Sequence, residues 1–101
     1  MKALIVIDYT NDFVATDGKL TCGEPGQKLE RKIAQLVREY ANRGDLVVFA
    51  NDLHKENDPY HPETKLFPPH NIEGTDGRHL YGQVADAYNE VLVNRNREVR
   101  I

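Results

Sequence analysis

The feature that most constrains this chain is a short apolar run, Ala3–Ile7, that ends on Asp8. Continuous runs of β-branched residues are typical of a strand that is buried on both faces of a parallel sheet. A helix is disfavoured because the run is short and turn-forming residues follow it directly. The pattern recurs at Leu46–Ala50, which runs straight into Asn51 and Asp52. The sequence therefore predicts two buried strands, each ending in polar side chains.

A helix is predicted between the two strands. Glu24 or Pro25 opens it, since an acidic residue and a fixed φ are both favourable in a first helical turn, and Gly44 ends it. Its apolar residues recur at a spacing of three and four and form one stripe: Leu29, Ile33, Leu36, Val37, Tyr40 and Ala41. A strand, helix, strand order with a right-handed crossover predicts two parallel neighbours in an α/β fold.

The second half of the chain contains a long loop and a weaker helix. The loop runs from Asp52 to Asp76 and is rich in Pro, His, Asp and Glu, and loops of this length in a compact domain are usually functional or disordered. A helix is predicted from Gly77 to Val91. The last eight residues resemble the start of a third strand, and the 101 residues are enough for one domain.

Composition excludes several classes of function. The net charge is −3, and the 13 Lys and Arg are interspersed with 16 Asp and Glu, so no basic stripe suggests a nucleic-acid partner. No segment approaches the roughly 20 apolar residues of a membrane span. The single cysteine, Cys22, rules out an internal disulfide and fits a reducing compartment, so we expect a cytoplasmic protein.

The residues most able to support chemistry follow the two strands. Ligands bind at the carboxyl edge of an open parallel sheet, and Asp8 and Asp52 are both expected there. The loop adds His54, His61 and His70, and its four prolines reduce its freedom. One carboxylate with three imidazoles is a sensible ligand set for a divalent metal, with zinc, iron and manganese all possible.

Each of these residues also has a purely structural interpretation. Asp8 could cap the turn after the strand, Asp12 could close an Asx-turn, and Phe13 could belong to the core. Any single loop histidine is more often solvated than a ligand, and His79, outside the cluster, is expected at the surface. Cys22 has no neighbouring group to lower its pKa, so a nucleophilic role is disfavoured. The clustering of three histidines with an aspartate favours the metal site.

Three stretches carry a resemblance to a known family: Ile7–Phe13, Asn51–His54 and Phe67–Thr75. They are similar to the isochorismatase-like cysteine hydrolases, and within them to the nicotinamidases. The resemblance runs from Met1 to about Gly77. It implies a Rossmann-like parallel sheet flanked by helices, of which this chain would hold the first two or three strands.

The resemblance also implies a mechanism. Family members use an Asp, Lys, Cys triad in which the aspartate, matching Asp8, takes the thiol proton before the sulfur attacks an amide carbonyl. In nicotinamidases, which convert nicotinamide to nicotinate and ammonia, an Asp and three His hold a divalent metal, most often zinc. Phe13 and Phe67 match positions whose rings flank the substrate. The metal-ligand matches are Asp52, His54, His61 and His70.

The chain departs from the family pattern in two places, because no lysine follows Lys65 and no cysteine follows Cys22. We therefore expect an N-terminal portion of the family domain, inactive alone, whose catalytic lysine and cysteine lie beyond it. In such a portion the Ala3–Ile7 strand would be an unpaired apolar edge, which favours association and predicts a homo-oligomer.

Three alternative functions are compatible with the sequence. A metal-binding or partner-binding module without catalysis would explain the missing lysine and cysteine. Another cysteine hydrolase of the same family would use the same aspartate on a different substrate. An aspartate-nucleophile phosphatase of the haloacid dehalogenase type would need a second Asp two residues after Asp8, where this chain has Thr10.

Overall fold

The part of the chain that the structure describes contains a two-stranded parallel sheet. The computed structural model describes residues 1–51, 53 and 70–95. Strands β1 (Ala3–Ile7) and β2 (Leu46–Ala50) pair in parallel, with Ala3 opposite Leu46 and Ile7 opposite Ala50. Their bounds and their direction are those predicted from the sequence, and the α/β class is confirmed.

Four helices and one 3₁₀ turn accompany the sheet in the part of the chain that the structure describes. In chain order they are α1 (Asn11–Val14), α2 (Glu24–Gln27), α3 (Glu30–Asn42), the 3₁₀ turn Asp76–Arg78 and α4 (Gly82–Arg95). None of the described helices is both long and apolar enough to cross a membrane.

The helix predicted from Glu24 or Pro25 to Gly44 is interrupted, and this corrects the prediction. The carbonyl of Gly26 accepts a bond from the N–H of Leu29, at the tighter 3₁₀ spacing, and another from the Tyr9 hydroxyl at 2.5 Å. Two helices, α2 and α3, result. Leu29 lies at the break and is 52% exposed, so it does not belong to the buried stripe. Gly44 has a φ of +77°, as expected of a residue that ends a helix.

The second helix begins five residues later than predicted, at Gly82 instead of Gly77. Residues Asp76–Arg78 form the 3₁₀ turn, and the chain is then extended before α4. The carboxylate of Glu30, at the start of α3, accepts a bond from the N–H of Gln83 at 2.7 Å. This contact satisfies one of the free N–H groups at the start of α4, where negative charge is favourable.

The core lies between one face of the sheet and the pair α3 and α4. Val37 on α3 and Val84 on α4 are fully buried, and the small side chains of Ala34 and Ala87 are buried beside them. The sheet contributes mainly Val6 and Phe49. The Phe49 ring meets the ring of Tyr88 edge-to-face, with centroids 4.9 Å apart. Such a pair adds stabilisation beyond its buried area.

On the opposite face of the sheet the side chains of β1 are exposed, contrary to the prediction of strands covered on both faces. Ile5 is 58% exposed and Ile7 is 68% exposed, whereas Val48, which is paired with Ile5 on β2, is buried. The described helices α3 and α4 both lie on the face that carries Val6 and Phe49. The apolar run Ala3–Ile7 therefore has a covering layer on only one side among the described residues.

The contact between α3 and α4 should dominate stability. Val84→Ala removes two methyl groups from a site with no exposed surface, so we expect the free energy of unfolding to fall by about 2 kcal/mol. Lys32→Ala, on the exposed side of α3, should change it by less than about 0.5 kcal/mol. Urea denaturation measures both values. Equal losses in the two variants would contradict the proposed core.

Candidate functional site

The carboxyl ends of β1 and β2 meet at one edge of the sheet. Asp8 directly follows β1, and its N–H donates to the carbonyl of Ala50 at 2.9 Å, so the pairing continues for one more residue. Asp8 has a φ of +52°, a left-handed conformation that Asp tolerates better than most residues. Its side chain is partly buried. The backbone thus changes direction abruptly at Asp8.

The turn after Asp8 is held by the segment that precedes α4. The N–H of Asn11 donates to the carbonyl of His79 at 2.9 Å, and the N–H of Tyr81 donates to the carbonyl of Tyr9 at 3.0 Å. Thr10 lies between these bonds, antiparallel to Leu80. The backbone on either side of Thr10 is therefore fixed by residues about seventy positions further along the chain.

His70 is buried against Phe13. Its side chain is only 3% exposed, and its ring meets the Phe13 ring edge-to-face with centroids 5.2 Å apart. Phe13 lies in α1, six residues after Ile7, the last residue of β1. The structure therefore brings together two residues that the sequence assigned to different roles in one site.

Asn71 fixes the chain immediately after His70. It is completely buried, and its φ of +46° is left-handed, which Asn accepts more readily than other side chains. Its side-chain oxygen accepts a bond from the Thr10 hydroxyl at 2.7 Å, and its N–H donates to the carboxylate of Asp12 at 2.8 Å. These bonds join the turn after β1 to the end of the long loop.

The residues of the predicted site divide into two groups. Asp8, Phe13 and His70 are described, and the structure brings Phe13 and His70 into contact. Among the described residues there is no group of three or more His, Cys, Asp or Glu side chains arranged to hold a metal. The remaining predicted site residues lie outside the described ranges: Asp52, His54, His61 and Phe67.

His79 lies at the surface, as predicted, and Cys22 is exposed as well. Cys22 is an exposed thiol in the segment before α2, and its N–H donates to the carbonyl of Phe13 at 2.8 Å. The His79 side chain is 72% exposed and pairs with Asp76 at 3.1 Å on the surface.

A cavity of about 420 Å³ opens beside the end of β2. It lies between Asn51, the 3₁₀ turn Asp76–Arg78 and α4. The side-chain oxygen of Asn51 is buried and has no hydrogen-bond partner among the described residues. The described residues that line the cavity are Phe49, Asn51, Arg78, His79, Leu80, Ala85, Tyr88 and Asn89.

Sequence reasoning missed Thr10 and Asn71 and assigned Asp12 only a local turn. The carboxylate of Asp12 accepts bonds from the N–H groups of Lys19 and Asn71, at 3.2 Å and 2.8 Å. Neither donor is the residue two positions on that an Asx-turn would use. The sequence signal for Thr10, Asp12 and Asn71 is that they lie within the motifs Ile7–Phe13 and Phe67–Thr75, which carry the family resemblance.

Asp8 lies at the carboxyl edge of the parallel sheet, which is where ligands bind in open α/β folds. The isochorismatase domain model matches residues 2–98. The chain belongs to the isochorismatase family.

Similar proteins agree with this assignment. The chain is 63% identical, over 87 residues, to an uncharacterized isochorismatase family protein, PncA, of Bacillus subtilis, covering 86% of this chain and 48% of that protein. A pyrazinamidase/nicotinamidase structure from Streptococcus mutans is 53% identical with a TM-score of 0.92, covering 100% of this chain and 55% of that one.

A more distant structure contains a metal. It is the pyrazinamidase of Pyrococcus horikoshii in complex with zinc, which is 32% identical with a TM-score of 0.68 and covers 77% of this chain and 43% of that one. The chain thus spans about half the length of the relatives that it matches.

The hydroxyl of Tyr9, next to Asp8, allows a test of how much this turn contributes to the free energy of unfolding. Burial, with a smaller contribution from the Glu30 carboxylate, raises the pKa of its hydroxyl from 10.0 to about 12. Between these values the unfolded chain releases the proton while the folded chain keeps it, so the stability that Tyr9 contributes falls as pH rises.

We expect Tyr9→Phe to lower the free energy of unfolding at pH 8 by about 1 kcal/mol, because the bond to Gly26 is lost. The difference from the wild-type protein should shrink as the pH rises from 10.0 towards about 12. Denaturant titrations at several pH values measure it. A difference that stays constant with pH would contradict the assignment.

Proposed function

We propose that this chain is part of a nicotinamidase, an amidohydrolase that converts nicotinamide to nicotinate and ammonia. The observation that carries the proposal is the position of Asp8, at the carboxyl edge of the sheet and five residues before Phe13 of α1. The nicotinamidase and pyrazinamidase names of the similar proteins support this substrate class. Family membership supports the reaction type.

Asp8 is the proposed general base. It would take the proton from a cysteine thiol supplied by residues outside this sequence, since Cys22 does not match the position of the family's nucleophile. The thiolate would attack the amide carbonyl, the carbon–nitrogen bond would break, and ammonia would leave with the proton. Water, deprotonated by the same carboxylate, would then hydrolyse the thioester. A lysine, also outside this sequence, would balance the charges.

The proposed metal ligands are Asp52, His54, His61 and His70. The one that the structure describes fits the role, because His70 is an almost fully buried imidazole in a fixed backbone position. Carboxylate and imidazole donors suit zinc first, with iron or manganese as alternatives. A bound ion would supply a ligand position for the pyridine nitrogen of the substrate and so orient it.

Aromatic side chains would hold the substrate ring. Phe13, already in contact with His70, is the proposed neighbour of the pyridine ring on one side, and Phe67 is the proposed neighbour on the other.

We propose a cytoplasmic homo-oligomer whose partner is the small amide, without nucleic acid or membrane. The exposed side chains of Ile5 and Ile7 support association.

Asp8→Asn tests the proposed base. Asn keeps the shape of the side chain and tolerates the left-handed backbone at this position, but it cannot accept the thiol proton. We expect kcat for ammonia release from nicotinamide by the full-length protein to fall about 10²- to 10⁴-fold. The matched control is Asp17→Asn, an exposed carboxylate nine residues away, which should retain full activity.

The outcomes separate the alternatives. Ammonia release by the parent protein, lost in Asp8→Asn, supports the nicotinamidase. Hydrolysis of other amides but not of nicotinamide would favour a different cysteine hydrolase of the family. No hydrolysis of any amide by a zinc-loaded full-length protein would reject the proposal in favour of a binding module.

His70→Ala tests the proposed metal ligand. Removal of one imidazole from a four-ligand site should weaken zinc binding by at least about 100-fold, because one of the four coordination bonds from the protein is lost. Competition with a chromogenic chelator gives the dissociation constant. His79→Ala is the control, since this histidine lies on the surface. An unchanged zinc affinity in His70→Ala would contradict the ligand assignment.

A further inference from the structure

Asp12 is a buried carboxylate for which the proposed reaction has no use. It is only 6% exposed and lies in α1, four residues after Asp8. Removing a carboxylate from water is unfavourable unless its oxygens are fully hydrogen-bonded. The burial of the Asp12 carboxylate therefore indicates that its hydrogen bonds have a structural or functional role.

The surroundings of Asp12 come from three separate segments. One oxygen accepts the N–H of Asn71, and the other accepts the N–H of Lys19. Gly77 packs directly against the carboxylate, so closely that a Cβ at this position would overlap its oxygens. Asp12 thus joins the end of the long loop, the segment after α1 and the 3₁₀ turn at a single point.

The most buried of these contacts is the one beside His70. The N–H that Asp12 binds belongs to Asn71, the next residue along the chain, and the side chain of Asn71 is bound by Thr10. All three residues are 6% exposed or less. Two bonds, one from the backbone and one from the side chain, therefore fix the position and the direction of the chain as it leaves His70.

We propose that Asp12, with Thr10, is a positioning residue that sets the orientation of the His70 imidazole for metal binding. The inference rests on the proposed function insofar as His70 is taken as a metal ligand. Neither Asp12 nor Thr10 contacts the metal in this proposal. They act through the backbone and the side chain of Asn71, as groups that support metal ligands commonly do.

The chemistry of the bonds selects the test variants. Asp12→Asn keeps the size of the side chain but replaces one acceptor oxygen by an NH₂ donor, so one of the two N–H groups loses its partner. Thr10→Val keeps the volume of Thr10 but removes the donor to Asn71. Thr10→Ser retains that donor and is its matched control, and the exposed Asp17→Asn is the control for the charge.

The experiment measures zinc affinity, not activity. Each variant of the full-length protein is stripped of metal, its thermal midpoint is recorded, and zinc is titrated against a chromogenic chelator well below that midpoint. We expect Asp12→Asn to bind zinc about 10- to 100-fold more weakly, and Thr10→Val about tenfold more weakly. Thr10→Ser and Asp17→Asn should stay within about twofold of the wild-type protein.

A purely structural role gives a different pattern. Asp12→Asn would then lower the thermal midpoint while folded protein bound zinc with unchanged affinity, and that result would overturn the proposal. If Asp12→Asn does not fold, the comparison of Thr10→Val with Thr10→Ser decides by the same criterion. A wild-type protein that binds no zinc would also overturn it.

The test is separable from that of the proposed function. A wild-type protein that binds zinc but does not hydrolyse nicotinamide would end the nicotinamidase proposal, while the loss of affinity in Asp12→Asn would still support the positioning role. Nicotinamide hydrolysis by the wild-type protein, together with unchanged zinc affinity in both Asp12→Asn and Thr10→Val, would reject the positioning role alone.

Discussion

Parallel pairing of β1 with β2 determines where chemistry is possible in this chain. In an antiparallel pair, the residues after the two strands would leave at opposite ends of the sheet. Here the bond from Asp8 to Ala50 keeps both exits at one edge. That pairing requires a crossover, and α3 provides it by burying Val37 and its neighbours against the sheet. The amphipathic stripe of one helix thus fixes the location of the proposed site.

The sheet edge alone would leave the following turn free to move. The structure fixes this turn by bonds from two segments far along the chain, one around Leu80 and the other at Asn71. A left-handed residue such as Asp8 persists only where its surroundings determine the backbone on both sides. The bond from Tyr81 to Tyr9 provides this on the far side, as the strand pairing does on the near side.

Local patterns predicted the strands and their direction, because a β-branched run followed by turn residues depends on few distant contacts. The same holds for the position of Asp8, which needs only a strand end. The interruption before α3 and the start of α4 were missed, because they depend on the tertiary contacts of Gly26 and Glu30. No periodicity could link Asp12 to Asn71, since 59 positions separate them.

Two carboxylates four residues apart thus have different capacities for chemistry. Asp12 is only 6% exposed, each of its oxygens accepts a backbone N–H, and Gly77 packs against its carboxylate. Asp8 is partly exposed and lies at the carboxyl edge, where the strands end and the chain changes direction. A general base must approach the proton that it removes, and this requirement excludes the enclosed carboxylate. Burial and bonds to the backbone of two other segments give Asp12 the structural role that we propose for it.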